Sequence, residues 1–304
     1  MSTQSRFRGA LLGLACGDAV GTTVEYSPRG TFVPVTDMVG GGPFNLQAGQ
    51  WTDDTSMALC LATSLVEKGG FDAHDQMRRY LDWMQQGYLS STGHCFDIGN
   101  TTAAALRRFQ QSGDPFSGST EPRAAGNGSI MRLAPVPMFY FPDLEDVIYF
   151  SAENSRTTHG SVECVDACRL LGTMLYGAFC GQSKEEILFG EPFPVEFDIE
   201  LSAKIEAIAE GSYRTKSESE ISGSGYVVNS LEAALWCFWQ TDTYRDAVLL
   251  AVNLGDDADT TAAICGQIAG AFYGVEEIPG DWLDKLTLYE EIVALADQLS
   301  VHTR

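Results

Sequence analysis

The hydrophobic positions of this chain recur with a helical period over most of its length. Apolar residues spaced three and four apart fill the runs 7–19, 55–67, 73–85 and 101–111, and the same spacing returns over 161–180, 228–239 and 261–273. Such spacing places the apolar side chains on one helix face, whereas a half-buried strand would alternate at every second residue. Strand-like alternation is nearly absent. The stretches 27–50, 112–129, 189–197 and 217–225 are rich in Gly, Pro and Ser and read as loops, none with the length or low complexity of a linker. The pattern therefore predicts an all-α fold, a single compact multi-helix domain over residues 1–304.

Composition narrows the function classes. A chain of 304 residues with 44% hydrophobic residues can bury a sizeable core. No run approaches the roughly 20 apolar residues of a membrane helix, so no membrane insertion is expected. Polar Ser2 and Gln4 stand where a secretory signal would carry a charged start and an apolar core, so the expectation is a cytoplasmic protein. Eight cysteines, Cys16, Cys60, Cys95, Cys164, Cys168, Cys180, Cys237 and Cys265, lie scattered in apolar surroundings and read as small buried hydrophobes, not as a disulfide framework. The net charge of −22 argues against nucleic acid, whose phosphates need a basic surface. A phosphate-bearing ligand requires a local reversal of sign, from divalent cations or from backbone N–H groups.

Two segments share a design in which an Asp/Thr cluster precedes a helical run. These are Thr52-Asp53-Asp54-Thr55 and Asp256-Asp257-Ala258-Asp259-Thr260-Thr261. Capping of the helix N-terminus explains one such residue per helix. It does not explain adjacent carboxylates, which repel one another. The competing reading is ligation of hard cations, which take about six oxygen ligands. Consecutive Asp53 and Asp54 diverge by about 100° in a helical turn and can serve different ions. Asp257 and Asp259 flank a small residue and can both reach inward, and Thr52 and Thr260 add neutral oxygens.

In these segments the chain resembles the ADP-ribosylglycohydrolase family, most closely its dinitrogenase reductase-activating members. The resemblance runs in order through the segment from Gly9 to Gly21 with Glu25, then Thr52-Asp53-Asp54-Thr55 and Asp97-Ile98-Gly99-Asn100-Thr101. It continues through Gly126-Asn127-Gly128-Ser129, Thr158-His159, Ser224-Gly225-Tyr226 and Asp257-Ala258-Asp259-Thr260-Thr261. It implies two Mg2+ or Mn2+ ions held at helix N-termini by Thr52, Asp53, Asp54, Asp257, Asp259 and Thr260. It also implies hydrolysis of the bond between ADP-ribose and a modified side chain, arginine before serine or a small-molecule conjugate. Asp256 departs from the pattern, which usually has a second glycine there.

The remaining segments match other parts of such a substrate, each beside a plainer reading. Gly126, Asn127, Gly128 and Ser129 precede a helix-like run, Ile130-Met131-Arg132, and either cradle a diphosphate with N–H groups or form an ordinary tight turn. Tyr226 either stacks on adenine or on a guanidinium, or is a plain surface tyrosine. Asn100 and Asp97 belong by resemblance beside the ribose, although turn formation competes for Asp97. His159 matches a family histidine but also fits a structural role, while His74, His94 and His302 carry no pattern. Asp97 or Glu25 is the expected general base for an oxocarbenium-like hydrolysis. A binuclear phosphoesterase would recruit more histidines, and a silent relative would be expected to lose metal ligands. The expected partner is an ADP-ribosylated protein or conjugate, and a monomer is favoured.

Overall fold

Four glycines spaced four residues apart, Gly9, Gly13, Gly17 and Gly21, leave one face of helix α1 (Thr3–Gly21) bare of side chains. That face lies antiparallel on Gly270, Gly266, Ala262 and the first residues of α12 (Ala258–Tyr273). A Cβ added at any of the four would collide with the backbone of α12, so the two helices touch main chain to main chain. Both are buried along nearly their whole length, so neither shows a polar face. The contact brings the last turn of α1, with Asp18, against the first turn of α12, with Asp259. Replacing Gly13 by Leu is expected to force the pair apart and lower the melting temperature by about 5 °C or more. An unchanged thermal unfolding curve would mean that the helices are not in contact.

The computed structural model describes residues 1–301, and His302 lies outside them. Around the central pair pack α2 (Asp53–Lys68), α7 (Val162–Phe179), α10 (Val227–Gln240), α11 (Tyr244–Asn253) and α14 (Tyr289–Ser300). Helix α3 (Ala73–Gln86) lies on α2, while α4 (Asn100–Ser112) and α6 (Leu144–Thr158) extend the packing outward. The short helices α5 (Pro135–Tyr140), α8 (Lys184–Phe189), α9 (Ala203–Ala209) and α13 (Gly280–Lys285) complete the domain. Among the described residues there is no strand, only isolated bridges such as Gly126 with Tyr226. The all-α expectation holds. No described helix is long and apolar enough to cross a membrane. No cysteine is paired, and Cys180, exposed at the C-cap of α7, is the one that departs from the buried expectation most clearly.

Candidate active site

The starts of α2 and α12 meet beside the end of α1, and neither helix is capped by its own first side chain. Thr52 and Asp257 occupy the N-cap positions, yet neither makes a side-chain capping bond. Asp18 does this for α2 instead: its carboxylate accepts from the N–H groups of Thr52 and Thr55 at 2.9 and 3.0 Å and from their hydroxyls at 3.0 and 2.6 Å. Thr52 Oγ1 is thereby held within 3.1 Å of Asp54 and 3.3 Å of Asp259. Capping by Asp18 leaves the acidic first turn of α2 free for another task, and Asp257 at the start of α12 makes no capping bond either.

Two groups of carboxylate oxygens result. Those of Asp18, Asp54 and Asp259 lie within 4.8 Å of one another, as do those of Glu25, Asp97 and Asp259, so Asp259 belongs to both. Asp54 Oδ1, Asp259 Oδ1 and Glu25 Oε2 are buried without a hydrogen-bond partner. A buried carboxylate oxygen left bare in this way costs free energy unless a cation meets it. The donor set, all oxygen and strongly anionic, fits hard divalent cations. Asp53 and Thr260 line the cleft above this cluster, and Asp257 Oδ2 accepts from Asn127 Nδ2 at 2.6 Å.

Burial and crowding raise these carboxyls. Burial lifts Asp18 to about 6 and Asp97 to about 6. Glu25 goes to about 9, first through burial and then through the charge of Asp97. Asp53, Asp54 and Asp259 rise well above the ordinary carboxylate range through burial and the charges of neighbouring carboxylates, and burial raises Asp257. Folded protein thus holds protons that the unfolded chain has lost. The contribution of these groups to stability is present below their unfolded values near 4 and is lost as pH rises through about 6 and on to about 9. Cations replacing those protons would restore it. The rise in melting temperature on adding magnesium is therefore expected to be larger at pH 8 than at pH 5. Equal shifts at both pH values would contradict cation binding by these carboxylates.

Above the cluster opens a cleft of about 690 Å³. It is lined by Glu25, Asp97, Asn100, Gly126, Asn127, Gly128 and His159 among the expected residues, and by Tyr26 and Asp256 besides. The loop 126–129 is tied to 225–227 by Asn127 N–H donating to the Gly225 carbonyl and Val227 N–H donating to that of Ala125. Residues 130–132 form hydrogen-bonded turns, with Met131 N–H donating to the Asn127 carbonyl as in a helix, but no regular helix continues from them because the prolines at 135 and 137 lack N–H groups. His159 is 2% exposed, and burial, followed by the charge of Arg132, lowers it to about 3, so it is neutral. Its ring lies under the loop, where a Cβ at Gly128 would clash with it.

Two expected residues face elsewhere. Ser129 is fully buried, and its hydroxyl accepts from Ser155 at 2.9 Å. Tyr226 does not line the cleft. Its hydroxyl donates to Glu163 at 2.6 Å and accepts from Lys204 at 2.7 Å, and that ammonium sits 5.1 Å from its ring centre.

The sequence profile of the ADP-ribosylglycohydrolase family matches residues 1–304. The chain belongs to the ADP-ribosylglycohydrolase family. This glycohydrolase is 47% identical over 292 residues to "ADP-ribosylarginine hydrolase Tri1" of Serratia proteamaculans, covering 96% of this chain and 78% of that one. It is 33% identical to the "ADP-ribosyl-[dinitrogen reductase] glycohydrolase" of Rhodospirillum rubrum, covering 95% and 93% of the two chains. A solved structure titled "ADP-ribosylglycohydrolase-related protein complex" superimposes with a TM-score of 0.88 at 43% identity, covering 100% of this glycohydrolase and 99% of that chain. Asp18 and Tyr26 are the site residues that reading the sequence missed. For Asp18 the available signal was a lone carboxylate inside an otherwise apolar helix. For Tyr26 it was an aromatic residue directly after Glu25.

Proposed function

We propose that this glycohydrolase uses two divalent cations, magnesium or manganese, to cleave the N-glycosidic bond between ADP-ribose and an arginine side chain. The observation that carries the reading is the pair of carboxylate groups sharing Asp259, with bare buried oxygens, at the floor of a cleft of about 690 Å³. The likeness to an ADP-ribosylarginine hydrolase over 96% of the chain supports arginine as the linkage.

Thr52, Asp53, Asp54, Asp257, Asp259 and Thr260 hold the cations, joined by Glu25, whose bare Oε2 fits a ligand better than a base. Bound there, the cations would supply positive charge that attracts the ribose oxygens and offsets the repulsion between the diphosphate and an acidic protein. Asp97, whose carboxyl lies at about 6 and is ionised at neutral pH, accepts a proton from the attacking water. The water oxygen bonds to the anomeric carbon as the C–N bond breaks. Its electron pair goes to the guanidinium nitrogen, and the proton on Asp97 passes to the neutral guanidine so formed. Gly126 and Asn127 direct their N–H groups to the carbonyls of Ala124 and Gly225. The diphosphate therefore falls to the N–H groups of Gly128 and Ser129, with neutral His159 beneath. Asn127 acts by fixing Asp257.

The test is a panel of peptides carrying ADP-ribose on arginine, serine or acidic residues, offered to the magnesium-loaded protein. Free ADP-ribose is expected from the arginine peptide. Release from the serine or acidic peptides alone would overturn the linkage.

A further inference from the structure

The rim of the cleft beside Asp97 has a composition of its own. Tyr26 stands there 65% exposed, its hydroxyl donating to Asp97 Oδ1 at 2.7 Å. Phe44 supports it edge to face at 6.5 Å between ring centres, and Phe96 packs on Phe44 at 5.1 Å. The exposed Asp256 lines the same rim. A short ladder keeps it beside Tyr26: Tyr26 N–H donates to the Asp256 carbonyl at 2.7 Å, and Asp256 N–H donates to that of Ser27 at 2.9 Å. Glu25, 4% exposed, lines the same cleft with its unpartnered Oε2. Among the described residues, no Lys or Arg lines the cleft.

An exposed aromatic face beside Asp256, a carboxylate outside the cation-ligand set, attracts a planar cation. The ring face draws a guanidinium electrostatically, and a carboxylate accepts its forked N–H groups. A neutral hydroxyl leaving group would gain little from the same surroundings. Asp256 has a φ of +55°, a conformation in which glycine is the default. Asp is tolerated there, whereas a larger residue would be strained.

Resting on the arginine reading above, we infer that Tyr26, braced by Phe44, together with Asp256 forms the binding site for the departing guanidinium. This rim sets the preference for arginine over hydroxyl-linked substrates. The probe is agmatine, a free alkylguanidinium, used as a competitive inhibitor of ADP-ribose release from an arginine peptide by the magnesium-loaded protein. In Asp256→Gly and in Phe44→Leu, the agmatine inhibition constant and the KM of the peptide are each expected to rise about tenfold. Affinity for ADP-ribose, which lacks the guanidinium, is expected to stay within about twofold, and this shows that each variant is folded. Asp256→Gly removes the carboxylate while easing the backbone, so it keeps the test available if Phe44→Leu does not fold. Wild type that cleaves arginine peptides, with variants whose agmatine inhibition is unchanged, would overturn the guanidinium site alone. Wild type that cleaves only serine peptides would overturn the linkage and this site with it.

Discussion

Asp259→Ala is expected to remove cation binding from both halves of the site and to lower turnover by about 10³-fold or more. Among the described residues, no other carboxylate belongs to both groups of mutually close oxygens. One of its own oxygens is bare, and the other lies 3.3 Å from the Thr52 hydroxyl. Its position follows from the glycine stripe of α1, which lets the first turn of α12 reach Asp18 and the start of α2. Calorimetric titration with magnesium should show two ions in wild type and none with comparable affinity in the variant. The magnesium-induced rise in melting temperature should vanish with them. A variant that binds two ions with unchanged affinity would mean that the carboxylates are not joint ligands.

Asp97→Asn is expected to lower turnover by roughly 10²- to 10⁴-fold, the loss typical of a general base, while ADP-ribose affinity persists. The substitution is well posed structurally. Asp97 has a φ of +57°, which Asn adopts readily, and an amide oxygen can still accept the hydrogen bond from Tyr26. The carboxylate also lies close to those of Glu25 and Asp259, so cation affinity has to be measured on the same preparation. A base alone leaves that affinity intact, and a ligand loses an ion. Near-normal turnover in a folded variant would remove Asp97 from the mechanism.

The apolar period gave away the helices whose buried face is itself apolar, including the central pair and α2, α7 and α10. It missed α6 for a physical reason. The buried side of α6 carries Ser151, Asn154, Ser155, Thr157 and Thr158, several of which bond to Ser129 and to the guanidinium of Arg132, so its stripe is polar. Helix α11 spans only ten residues, and α14 follows Leu288 in a left-handed conformation without a capping side chain.

At the site, residue type and spacing were enough to bring Asp53, Asp54, Asp257, Asp259 and their threonines to two helix starts. Orientation was not legible. Nothing in the sequence tells that Tyr226 turns toward Lys204, that Ser129 is buried against Ser155, or that the side chain of Asn127 holds Asp257. Asp18 was hidden because its partners, Thr52 and Thr55, are more than thirty residues away and meet it only after α1 and α2 pack.

The central claim is that acidic residues from separate parts of the chain form one cation-dependent hydrolytic site. It is tested most directly by following ADP-ribose release from an arginine-linked peptide while one preparation is stripped with chelator and then reloaded stepwise. Turnover should fall to background on stripping and return fully as two magnesium or manganese ions bind per chain. Full turnover by the exhaustively stripped protein would contradict it.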